Sequence, residues 1–136
     1  MKESPDDTIA RLVAYNGSLQ IAHWRADTIT NEHKALGDLY DTMVEKTDDF
    51  AEVFMGKEGV IDPGDQEMCQ LTDPAGEGLA LIKDLQTGFK AGEDDDLLNL
   101  LADMQGALHK AKYLLKSGGK EEEPKGDEFT TEEMPE

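Results

Sequence analysis

The sequence predicts an all-α protein: four helices packed as a bundle, with one long connection between the second and the third. Three observations carry this. Apolar residues recur at steps of three and four from residue 4 to 116, with no alternating strand pattern. Residues that start or stop helices punctuate that stretch at the right intervals. The length, 136 residues, suffices for one hydrophobic core but not for two independent domains. The bundle is assigned to residues 1–117 and an acidic tail to 118–136.

The first helix is expected from Pro5 to about Ala26. Ser4 is suited to cap it, Pro5 fits the first helical position, and Asp6 and Asp7 face the positive end of the helix dipole. Ile9, Leu12, Val13, Asn16, Leu19 and His23 then follow helical spacing. Gly17 in the interior costs about 1 kcal/mol relative to alanine, so packing must hold this helix together. A second helix is expected from about Thr30 to Met55, with Leu36, Tyr40, Met43, Thr47, Phe50, Ala51 and Phe54 on one side and Gly56 as its C-cap.

Residues 57–72 form the longest interior connection, with a short helical turn expected around Gln66–Leu71. The third helix opens with Asp73-Pro74, carries Leu81, Ile82, Leu85 and Phe89, and is expected to fade near Gly92. The fourth has Asp94, Asp95 and Asp96 at its positive end and Lys110, Lys112 and Lys116 at its negative end. Between them runs a stripe of Leu97, Leu101, Met104, Leu108, Ala111 and Leu115, and Ser117-Gly118-Gly119 ends the helix. The tail beyond has too little apolar surface to offset the entropy of ordering and reads as disordered.

Charge narrows the function classes. There are 31 acidic and 13 basic side chains, a net charge of −18. That balance argues against direct nucleic-acid binding, which needs clustered lysine and arginine, and favours the attraction of cations. No apolar run is long enough to span a membrane, and no secretory leader is recognised at the N-terminus. The lone Cys69 excludes an intrachain disulfide and a cysteine-rich zinc site, which makes a reducing, cytoplasmic location the expectation.

The chemistry-bearing residues cluster on the second helix. Asp41, Glu45, Asp48 and Glu52 fall within roughly 60° of arc at about 100° per residue, a narrow stripe flanking the apolar face. His33 precedes the row, and His23 lies on the first helix on the side of Leu12 and Leu19. Imidazole and carboxylate together suit iron, manganese or zinc. The plainer alternatives are a solvated acidic face and a boundary histidine satisfied by a hydrogen bond. Like charges one turn apart repel by a few tenths of a kcal/mol, about 0.2–0.5 per pair, and within the segment only Lys46 can answer them.

AHW at 22–24, followed by TITNEHKALGDLYDTMVEKTDDFAE at 28–52, resembles the core of the mini-ferritins, the DNA-protecting proteins of starved bacterial cells. The spacing is closest to uncharacterised ferritin-like members from bacteria and phages. The resemblance covers residues 8–56, and more weakly 94–116. It implies a ferritin-like four-helix bundle with a long crossover, and a homo-oligomer, a hollow dodecamer. It also implies a di-iron ferroxidase centre shared between two subunits, oxidising Fe(II) and storing Fe(III). Residue by residue, the match gives His23, His33, Asp48 and Glu52 as metal ligands and catalytic residues. Trp24 matches a tryptophan beside the site, although a buried aromatic is the simpler reading, and Tyr40 reads as packing.

Three departures stand beside the match. His23 and His33 are ten residues apart rather than twelve, so the corner between the helices must be tight. The acid one turn after the second histidine is Gly37 here, and neither Asp38 nor Asp41 lies at the same helical angle. The basic extension that gives family members DNA affinity is replaced by an acidic one. The alternative is therefore a ferritin-like assembly without ferroxidase activity, in a binding or packaging role.

Overall fold

The computed structural model describes residues 4–119, so the predicted tail lies almost wholly outside the described residues. Four helices account for the described fold, with no strand among the described residues: α1 (Pro5–Arg25), α2 (Asn31–Glu58), α3 (Pro74–Gln86) and α4 (Asp95–Gly119). This all-helical architecture is compatible with the expected four-helix bundle.

Local chemistry sets most of the helix starts. Ser4 accepts a hydrogen bond from the Asp7 amide at 3.2 Å, with Pro5 at the first position of α1. Thr30 does the same for the His33 amide at 3.1 Å, and Asp73 for the Gly76 amide at 3.3 Å. At α4 the Asp94 carbonyl accepts from the Leu98 amide at 2.8 Å, while its carboxylate accepts from the Lys90 amide at 2.9 Å.

Three boundaries differ from the sequence reading. Helix α2 runs through Gly56 and ends at Gly59, whose φ of 97° is the left-handed conformation that a side chain disfavours. No helical turn forms at 66–71. Helix α3 stops at Gln86, short of Gly92, because the chain turns at Thr87. Phe89 thereby leaves the helix but not the core: its ring meets Phe50 and Phe54 edge-on, at centroid distances of 5.9 and 5.6 Å.

Around the bundle the order of neighbours is α1, α2, α4, α3, and among the described residues the backbones of the diagonal pairs do not approach each other closely. The core draws on all four: Leu12 and Leu19, Met43, Phe50 and Phe54, Ile82, then Leu97, Leu101, Met104 and Leu108 are wholly buried. At about 2 kcal/mol for each such side chain, this burial is the main stabilising term. The corner at 26–30 turns α2 back along α1. Lys57 near the end of α2 reaches Asp94 and Asp96 at the start of α4, at 3.9 and 3.0 Å, so these two helices also run antiparallel. Arg11 of α1 pairs with Asp84 near the end of α3 at 2.9 Å.

The segment after α2 stays close to α1. The Asp62 amide donates to Asp6 at 2.9 Å, and further on the Cys69 amide donates to Ser18 Oγ at 2.9 Å. No described helix is long and apolar enough to cross a membrane.

Candidate metal site

The two histidines meet at the corner between α1 and α2. Their rings stack with centroids 4.0 Å apart and planes 28° from parallel. His23 Nδ1 lies 2.8 Å from the His33 carbonyl oxygen, and His33 Nδ1 lies 2.9 Å from the His23 carbonyl oxygen. A carbonyl oxygen can only accept, so both Nδ1 atoms carry the proton and donate. In the neutral ring this leaves the lone pair on Nε2. Neither Nε2 is a buried orphan, so both half-buried rings keep these atoms in contact with solvent. Metal-ligating histidines are oriented in this manner, by a carbonyl on the nitrogen that does not ligate.

The corner is tied by its own hydrogen bonds. The Thr30 amide and hydroxyl both donate to the Asp27 carbonyl oxygen, at 3.0 and 2.7 Å, and the Ile29 amide donates to Asp27 Oδ1 at 3.2 Å. These bonds set the tight turn that a ten-residue histidine spacing demanded.

Two rings in nearly parallel planes cannot aim both in-plane lone pairs at one ion about 2 Å from each nitrogen. Held as they are, His23 and His33 would serve two different ions.

The carboxylates assemble elsewhere. Asp48, Asp49 and Glu52 each offer an oxygen within 4.8 Å of the others. Asp49 was missed in the sequence, since it lies outside the stripe that joins Asp48 to Glu52. It is three residues before Glu52, and that (i, i+3) relation was the available signal. Asp41 and Glu45 do not join the group. None of the row has a basic partner among the described residues: Lys46 turns instead to Asp103 of α4 at 3.7 Å, and Lys34 to Asp38 at 2.9 Å.

Histidines and carboxylates do not meet within one chain. His33 and Asp48 are fifteen residues apart on one continuous helix, about 22 Å at 1.5 Å per residue. Trp24, read as a buried aromatic, is 64% exposed, because its position on the last turn of α1 faces away from the core. Tyr40 is partly buried against the core, as its packing role required. No protein-family model, curated protein or solved structure matches the chain.

Proposed function

We propose that the protein is an iron-binding, mini-ferritin-like ferroxidase whose metal site is completed by a second copy of the chain. The reading rests chiefly on the two Nδ1-anchored histidines, which leave two Nε2 ligand atoms on the same corner. The Asp48, Asp49 and Glu52 group, which has no basic partner among the described residues, adds hard oxygen donors, which favour the ferric product. Because the two sets are about 22 Å apart in one protomer, a two-fold relation would bring the histidines of one to the carboxylates of the other.

In this reading the long connection is the bundle-length crossover of the ferritin-like fold. Its contacts with Asp6 near the start of α1 and with Ser18 farther along support that path. Fe(II) is the substrate. It is gathered by the acidic field of the chain and positioned by His23, His33, Asp48 and Glu52. Two Fe(II) ions give one electron each to a peroxide, which takes up two protons and leaves as two waters. The Fe(III) produced is stored inside a homo-oligomeric cage, a dodecamer on the family pattern.

The test is to mix metal-free protein with Fe(II) and peroxide while following ferric absorbance. Acceleration over buffer, lost in a His23→Ala, Glu52→Ala double variant, supports the proposal. An uncatalysed rate with the wild-type chain overturns it. A second reading, a ferritin-like assembly without redox chemistry, is favoured by one observation: His33 and Asp48 lie about 22 Å apart along α2, so a single protomer does not bring the histidines and the carboxylate group together. An intact oligomer that takes up no iron would select it.

A further inference from the structure

Gly37 stands in the second turn of α2, inside a helix where alanine is the better residue. The space its missing side chain leaves is occupied. A Cβ built there would lie 2.7 Å from His23 Cε1, 3.0 Å from Nδ1 and 3.3 Å from Nε2. All three contacts are to one ring, and it is the ring that also stacks on His33. His23 is thus seated between the α2 backbone and its partner histidine. The α2 backbone lies on one side of the ring and the His33 ring on the other, so a Cβ at position 37 is accommodated only if the His23 ring moves.

We propose that Gly37 is a positioning residue for the His23 ligand. Its bare backbone lets the ring lie close enough for Nδ1 to reach the His33 carbonyl, which fixes the tautomer and leaves the approach to Nε2 open. Any side chain at this position pushes the ring off that carbonyl and crowds Nε2. The acid that a mini-ferritin carries at this point is therefore incompatible with His23 as it is held here. The inference deepens the metal-site reading and rests on it for its functional meaning, but the seating of His23 can be tested without metal.

Long-range proton–nitrogen NMR of the metal-free, full-length chain reads the protonated nitrogen of each ring. In the wild type both histidines should show the Nδ1–H form, and Gly37→Ala should convert or average the His23 signal while the protein stays folded. An unchanged His23 signal in Gly37→Ala overturns the proposal. Should Gly37→Ala unfold, the double variant His23→Ala, Gly37→Ala decides. It should melt no lower than His23→Ala alone, since the clash has gone; a persisting loss overturns the proposal. Titration with Co(II), followed by its visible absorption, adds the functional readout: Gly37→Ala should bind at His23 at least tenfold more weakly. If wild type shows no Co(II) at His23 yet the tautomer shifts in Gly37→Ala, the seating stands and the metal reading falls.

Discussion

Tyr15 donates its hydroxyl proton to the Pro74 carbonyl at 2.8 Å, joining the middle of α1 to the first residue of α3. The same hydroxyl, with Leu108 of α4, fills the space in front of Gly78, so three helices converge on one missing Cβ. Gly78→Ala should cost about 1–3 kcal/mol through overpacking, despite the better helix propensity of alanine. Tyr15→Phe should cost about 1 kcal/mol by stranding the carbonyl. Urea midpoints of the two variants would check both. Burial, reinforced by Glu77 and Asp73, also pushes the Tyr15 phenol well above its ordinary value, so this bond survives mildly alkaline conditions.

Lys57 and Asp96 should make stability sensitive to pH at both extremes. Their hydrogen bond, at 3.0 Å, is the main cause of a lowered Asp96 carboxyl and a raised Lys57 ammonium. A depressed carboxyl stabilises the fold above its unfolded value of 3.8, and the contribution is lost as pH falls through the folded value. A raised ammonium stabilises below 10.5, and that contribution is lost as pH rises through its folded value. Lys57→Met should therefore flatten the acid and alkaline limbs of a urea-midpoint profile, while leaving a Lys46→Met control close to wild type.

At the α1–α2 interface, Asn16 Nδ2 donates to Thr47 Oγ1 at 2.9 Å, yet Asn16 Oδ1 is buried without a partner. Thr47→Val alone should cost about 1–3 kcal/mol, because it strands the amide as well. The double change Asn16→Leu, Thr47→Val removes every unmet group and should recover most of that loss. A thermal-melt double-mutant cycle would read the coupling.

Phe50, Phe54 and Phe89 form a three-ring cluster at one end of the core, with Phe50 and Phe54 5.5 Å apart. Phe54→Ala should cost about 3–5 kcal/mol. Phe89→Ala should cost less, since Phe89 is only partly buried, but should loosen the turn before α4. Hydrogen exchange across residues 87–94 would rise.

Trp24 is the only tryptophan and stands 64% exposed in the single chain. A dissociated protomer should therefore emit as a hydrated indole and be quenched freely by acrylamide. If a second copy covers the corner near His23, emission should move to shorter wavelength as concentration rises, in step with light-scattering mass.

Much of the fold was legible because its signals are local. Ser4-Pro5 and Asp73-Pro74 start helices by satisfying their own first amides, and the Leu97–Leu108 stripe is buried as its spacing required. What was illegible depends on distant groups. Nothing near Gly56 distinguishes it from Gly59 as a stop; the helix continues past it to Lys57, which is held by Asp94 and Asp96 across the bundle. Phe89 looked helical by spacing because a core ring follows the same arithmetic whether its backbone is helical or turned. At the candidate site, the residue types could be read from the sequence, but the stacking of His23 on His33 and the seat at Gly37 could not. They are set by how tightly two helices turn back on each other.

The histidine clasp also bears on how the chain reaches its native state. It closes a loop of only ten residues, whereas the Tyr15 bond to Pro74 spans 59. Short loops surrender less chain freedom on closing, so the α1–α2 hairpin should organise early and Tyr15 should lock late. The order would be visible as high φ-values around His23 and His33 and low ones at Tyr15.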